Sequence, residues 1–281
     1  MVNPILLIAV PLGIAFLLPL VDRLGRAASR WVHFLTLVFY TGAAASWALA
    51  LHKGTVAAKD IITASWPPPV GINLHMGLAE AVILSLAGIT GICAALYLVP
   101  REEKPSIRSI VLQVLLLAGT AGLTLTRDIF NMFVFLEITS ISTFAIVLLG
   151  REKKALEAGF KYMILGGIAS VLLLLGIAFL YKTTGTLNMA DMAAKLPALF
   201  TGGAAAALVF LFVCMVIELK GFPLNGPAID LYEGVEPGVM ALIVGTTLNA
   251  TLFAFWKVLP LFGGASWEGV IMTSGMATFV L

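Results

Sequence analysis

The chain alternates long apolar runs with short polar connectors. Runs near the roughly 20 residues that a helix needs to cross a hydrocarbon core fall at Pro4–Leu20, Trp31–Leu51, Met76–Leu98, Ser109–Thr126, Phe130–Leu149, Ala158–Lys182, Ala204–Leu231, Gly238–Leu259 and Gly269–Leu281. The seventh is broken at Pro223, and the ninth is cut short. Lipid leaves open backbone groups unsatisfied, so spanning segments must be helices or closed barrels. The alternating segments of about 10 residues typical of barrel strands do not occur here. The pattern predicts an all-α polytopic membrane protein with about nine transmembrane helices, the seventh discontinuous. Between the second and third runs, the β-branched stretch Asp60–Thr63 and the triplet Pro67–Pro69 predict a small hairpin outside the membrane. The segment Leu187–Leu196 spaces Leu187, Met189, Met192 and Leu196 among polar residues, which predicts a short helix lying at the membrane surface.

Composition agrees with this and removes other classes. Hydrophobic residues make up 60% of the chain and charged residues 11%, with a mean hydropathy of +1.04, beyond what a soluble domain tolerates on its surface. A formal net charge of +2, with no basic run interleaved with aromatics, excludes nucleic acid as a partner. There is no GxxxxGK[ST] and no GxGxxG after a strand, so nucleotide hydrolysis and dinucleotide binding lack a basis. Cys93 and Cys214 lie inside apolar runs without metal-site spacing and read as small core residues. His33, His52 and His75 form no ligand set; His33 reads as an interfacial residue rather than a haem ligand. No cofactor or metal is expected in this chain. Arg23, Arg26 and Arg30 follow the first run instead of preceding it, which argues for a retained helix over a signal peptide. Leaving out Lys220, the connectors after runs one, three and five, with the start of run six, hold ten lysines and arginines against six on the other side. That bias predicts a cell-membrane protein with its N-terminus outside.

The charges that remain inside the apolar runs carry the candidate chemistry. A charge at the bilayer centre costs about 2.5–3.5 kcal/mol by insertion scales, so Glu137 and Lys220 each need a local reason. Glu137 sits about seven residues, or roughly 10 Å of rise, inside the fifth run. It is either protonated or held ionised by a nearby cation, and pairing with Lys220 solves both burials at once. Pro223, with Gly221 and Gly226 on either side, opens the helix next to Lys220, and discontinuous helices frame ion sites near the midplane. Glu218 points away from Lys220 if the helix continues, and reads as a second relay group or as a face toward another subunit. Lys161, at the start of the sixth run, reads as either a proton feeder or an interfacial anchor. Glu80 is expected to be a shallow structural residue. Asp230, Glu233 and Glu236 form either a cation-collecting rim or a solvated loop.

These residues resemble the antiporter-like subunits shared by respiratory complex I, Mrp cation/proton antiporters and membrane-bound hydrogenases. The matches are FLEITSIS around Glu137, EAGFKYMILGGIAS from Glu157 to Ser170, and the series Lys220, Pro223, Gly226, Asp230 and Pro237. The resemblance covers about Ser109 to Phe262. It implies an N-terminal three-helix region (1–108), a first five-helix antiporter-like repeat (109–262) and the start of a ninth helix (263–281). It also implies a Glu137–Lys220 charge pair whose approach and separation drive proton transfer; by their positions Lys161 and Glu218 are the candidates for further relay groups beside it. The expected role is a proton- or sodium-translocating subunit beside other membrane subunits, with any redox arm of Fe–S or metal centres on those partners. An Mrp-like antiporter subunit without redox activity, or a scaffold subunit with an incomplete channel, are the alternatives. Two departures stand out: Asn249 occupies the eighth-helix region where many members carry Lys or His, and the second repeat is missing, so ion transport by this chain alone is not implied.

Overall fold

The computed structural model describes residues 1–63, 66, 70–98, 106–149, 153–263 and 265–280. Pro67–Pro69 and the connector residues Arg101, Lys104 and Arg151 lie outside the described residues. The first five apolar runs become α1 (Leu6–Val21), α2 (Arg26–His52), α3 (Leu78–Leu98), α4 (Ile107–Leu125) and α5 (Ile129–Leu148). The sixth becomes α6 (Lys153–Thr184), followed by the short α7 (Met189–Lys195). The broken seventh run yields α8 (Gly202–Glu218) and α9 (Gly226–Gly234). The eighth forms α10 (Pro237–Ile243), one π-helical turn at Val244–Leu248 and α11 (Asn249–Val258), and α12 is Ala265–Val280. Among the described residues, six stretches are long and apolar enough to span a membrane, with α1 and α8 shorter apolar helices.

Side chains that accept orphan N–H groups start several helices. Ser106 accepts from Arg108, Asp128 from Asn131, Asn188 from Ala190 and Asp191, and Thr201 from Ala204. Burial desolvates the Asp128 carboxyl and raises its pKa above the ordinary value, and the backbone N–H groups of Asn131 and Phe130 only partly offset this.

The helix α4 is the axis of the bundle: every residue from Leu116 to Leu125 is buried. Its small residues make that possible, because an added Cβ at Gly119 would meet Thr139 and one at Gly122 would meet the ring of Phe135. One apolar core joins α5, α6, α7, α8 and α11 around Leu173, Leu211 and Phe255. A second joins α1 to α4 around Leu37, Tyr40 and Leu84. Large hydrophobic side chains such as Phe16, Leu96, Val171 and Leu252 point outward, as they must where the solvent is lipid.

The connector before α3 is a hairpin: β1 (Lys59–Ile62) pairs antiparallel with β2 (Asn73–Met76), Lys59 facing Met76. The short helix α7 forms where expected but does not lie free at a surface. Met189, Met192 and Leu196 are buried in the first core, since Asn188 pins the segment to Asn73 and Asp128. His33 is buried within α2, which begins five residues before the sequence pattern suggests. Cys214 is in the core, whereas Cys93 is exposed on the outer surface of α3.

Candidate functional site

The seventh run breaks earlier than Pro223 alone requires. The helix α8 stops at Glu218 with a paired cap: the Lys220 amide donates to the Ile217 carbonyl at 3.1 Å, and the Gly221 amide to the Val216 carbonyl at 2.7 Å. This 5→2 and 6→1 pattern needs a left-handed residue between them, usually glycine. Here that residue is Lys220, at φ 58°, a conformation that costs an L-residue roughly 1–2 kcal/mol. The chain then passes the cis Phe222–Pro223 peptide before entering α9. The Phe222 amide donates to Thr278 Oγ1 on α12 at 2.9 Å.

The turn aims the Lys220 side chain back across the bundle to α6. Its ammonium donates to the Tyr162 hydroxyl at 3.0 Å and to the Glu218 carbonyl at 3.0 Å, and lies 4.9 Å from the centre of the Tyr162 ring. Tyr162 is buried and held edge-on against Phe144 of α5. Glu137, on α5, instead accepts a hydrogen bond from Ser170 Oγ of α6. Tyr162 and Ser170 are eight residues apart on α6, about 12 Å of rise. The direct Glu137–Lys220 ion pair expected from the sequence is therefore not formed; among the described residues each has a neutral partner at a different level of α6.

Glu218 links them. It is buried, and its carboxyl interacts electrostatically with both Lys220 and Glu137. The helical spacing that would turn Glu218 away from Lys220 ends with α8 at Glu218; Lys220 bonds the Glu218 backbone carbonyl and not its carboxylate. The bundle thus holds two carboxyls and one amine close enough to act on one another, Glu137, Glu218 and Lys220, with Ser170 bonded to Glu137 and Tyr162 to Lys220.

At the N-terminal end of α6, Lys161 pairs with Glu157 at 3.0 Å and with Asp230 of α9 at 2.8 Å, and its side chain is 46% exposed. Lys154 meets Glu233 at 3.2 Å. The rim thus fastens α9 to α6. Lys161 and Tyr162 are adjacent in sequence, one at the rim and the other against Lys220.

Two further charges are buried. Glu80 lies in the first turn of α3, is 3% exposed and pairs with Arg127 at 2.6 Å. Lys257, counted among connector charges, is buried in α11, where it donates to three backbone carbonyls. Asn249 is exposed and lines an apolar cavity of about 570 Å³ with Met215, Leu219 and Ile271. Sequence reasoning missed Tyr162 and Ser170, because a tyrosine and a serine within an apolar run read as core. The available signal is that both lie within the family-like stretch Glu157 to Ser170. Among the described residues, no group of three or more His, Cys, Asp and Glu is arranged to hold a metal.

Residues 126–281 match the family described as NADH:quinone oxidoreductase/Mrp antiporter, TM. The chain is 32% identical over 263 residues to an NADH-quinone oxidoreductase subunit N of Desulforudis audaxviator, covering 91% of this chain and 52% of that one. It is 33% identical over 292 residues to the D subunit of a probable K(+)/H(+) antiporter of Rhizobium meliloti, covering 98% and 53%. Its fold superposes with a TM-score of 0.88 and 32% identity on a chain of the membrane-bound sulfane sulfur reductase, an archaeal respiratory membrane complex, covering 95% of this chain and 55% of that one. For a chain of the Mrp complex from Dietzia sp. the values are 0.82 and 25%, over 95% and 50%. The chain spans about half the length of the curated relatives it matches. With the matched region covering more than half of its length, the chain belongs to the NADH:quinone oxidoreductase/Mrp antiporter family of membrane proteins.

Proposed function

We propose that this chain is the proton- or sodium-translocating part of a membrane subunit in a multi-subunit respiratory complex of hydrogenase or quinone oxidoreductase type, with the redox centres on partner subunits. The observation that carries this reading is the group Glu137, Glu218 and Lys220, with Glu218 buried, beside a helix break. In the proposed cycle Lys220 exchanges its partners. Held by Tyr162 and the Glu218 carbonyl it is one end of the switch, and in contact with Glu137 it is the other. Each exchange moves a charge relative to two carboxyls in an apolar medium, where a Coulomb interaction at a given distance is several-fold stronger than in water. Protons enter through Lys161 and its partners Asp230 and Glu157. Nine spans, an N-terminus outside, and a repeat over 109–262 between the regions 1–108 and 263–281 complete the topology of this reading.

Similarity to the sulfane sulfur reductase chain supports the respiratory assignment. Similarity to the Rhizobium antiporter chain and the Mrp chain supports a second reading, an Mrp-like cation/proton antiporter subunit. Exposed Asn249 supports a third, a scaffold. The test is ion translocation by the assembled complex in membrane vesicles. Lys220→Ala and Glu137→Gln should each abolish it with assembly intact, and near-normal translocation in both leaves the scaffold. Translocation that persists without an electron donor favours the antiporter reading.

A further inference from the structure

The end of the bundle opposite Lys161 holds a second group of buried charges that the relay leaves unused. Lys161 is near the start of α6, while the start of α5 bridges to Asn188 just beyond the end of α6. Some 23 residues of α6, about 35 Å of rise, separate the two ends. At this far end the Lys257 ammonium donates to the carbonyls of Leu123 and Thr124 at 2.9 Å and of Thr126 at 2.8 Å. These are carbonyls at the end of α4, which have no partner within their own helix. The Phe253 ring lies 5.2 Å from the ammonium, and the charges of Arg127 and Glu80 act on it. Glu80 is already neutralised by Arg127 and by the Gly77 amide at 3.1 Å, which leaves Lys257 without a carboxylate of its own.

Two further observations lie on either side of this amine. Outward, Lys257 and Arg127 line a cavity of roughly 700 Å³ together with Trp256, Pro260, Met272 and the exposed Glu268 of α12. Inward, the hydroxyls of Thr247 and Thr251 are buried and have no hydrogen-bond partner. Thr251 is six residues from Lys257, about 9 Å along the helix. An unsatisfied buried hydroxyl costs about 1–3 kcal/mol, and small polar sites of this kind take up ordered water. Thr247 also belongs to the π-helical turn, a distortion frequent at functional sites.

We propose that Lys257 is a proton-release site of this chain, loaded from the core side past Thr247 and Thr251 and discharging into the cavity beside Arg127 and Glu268. One ammonium N–H bond breaks, and the proton passes to a water molecule in the cavity and leaves as hydronium. The neutral amine keeps two N–H groups on two of the three carbonyls, and its lone pair takes the next proton from the core side. One proton crosses per cycle and no electron moves. The proposal rests on the relay reading, and supplies within this chain the onward acceptor that Asn249 cannot be.

A plain structural cap is the competing role, and arginine separates the two. Lys257→Arg keeps the charge and the donors for the carbonyls but does not release its proton. The experiment measures proton flux in vesicles bearing the assembled complex, driven by an imposed pH gradient and read with a trapped pH-sensitive dye. Assembly is followed on native gels. Lys257→Arg and Lys257→Met should both assemble and both lose flux at least tenfold. Flux within twofold of wild type in Lys257→Arg overturns the proposal. If the larger side chain blocks assembly, the double variant Thr247→Val and Thr251→Val decides: a tenfold loss supports the path, and unchanged flux overturns it. Flux that survives in Lys220→Ala but is lost in Lys257→Arg overturns the relay while supporting the release site, and the reverse overturns the release site alone.

Discussion

Lys220 occupies a backbone position that suits glycine, and this separates its chemical role from its structural one. At φ 58° the side chain costs roughly 1–2 kcal/mol relative to a residue without a Cβ. Lys220→Ala and Lys220→Gly remove the same ammonium, and both leave Glu218 and Tyr162 without their cation. The difference between the two variants is therefore the backbone cost alone. Lys220→Gly should be the more stable by about 1 kcal/mol, near fivefold in the folded-to-unfolded ratio, or about 2–4 °C in Tm. Thermal unfolding of the purified complex checks the ranking, and vesicle flux checks that both variants are equally inactive. A Lys220→Ala protein as stable as Lys220→Gly refutes the strained turn. Flux in Lys220→Gly refutes the reason for placing lysine there.

Four other outcomes follow from the packing and the caps. Tyr162→Phe removes the hydroxyl that holds Lys220; a hydrogen bond to a charged group contributes about 1.5–3 kcal/mol, so flux measured as above should fall at least tenfold with assembly unchanged. Gly122→Ala drives a methyl group into the Phe135 ring and should cost about 1–3 kcal/mol, seen as a lower Tm. Glu80→Ala leaves Arg127 partly buried and unpaired; the loss should fall between the roughly 1 kcal/mol of an exposed pair and the roughly 4 kcal/mol of a buried one. Asp128 has a folded pKa raised above 3.8 by burial. Its ionised form therefore opposes folding above that folded pKa, and the penalty disappears as pH falls toward 3.8. Asp128→Asn, which keeps an equally good cap, should match or exceed wild-type Tm at pH 7, whereas Asp128→Ala should lower it by about 1 kcal/mol in stability.

The helices are legible in the sequence because lipid leaves few alternatives: each apolar run from α1 to α6 appears within a few residues of its expected bounds. The break beside Lys220 is legible from Pro223, but its onset is not. The cap that ends α8 at Glu218 uses backbone hydrogen bonds and a left-handed lysine, neither of which has a sequence signature. Residue identity marks Glu137 and Lys220 as expensive and in need of partners. It does not reveal which partners, because Ser170 and Tyr162 are assigned by the rotation and level of α6. Lys257 misleads for a related reason. Hydropathy places it at the end of a run, where lysines normally reach water, but the α4 terminus meets it first and offers three carbonyls. The Glu80–Arg127 pair spans 47 residues and needs the α3–α4 packing to be seen.

The central claim is that Glu137 and Lys220 act as one device although their side chains are held apart in this structure. Proton flux through the assembled complex in Glu137→Gln, Lys220→Ala and the double variant tests it most directly, because groups that work as a unit are not additive. Each single variant should lose flux at least tenfold, with the double no worse than either single. Losses that multiply in the double variant, or singles near wild type, contradict the account.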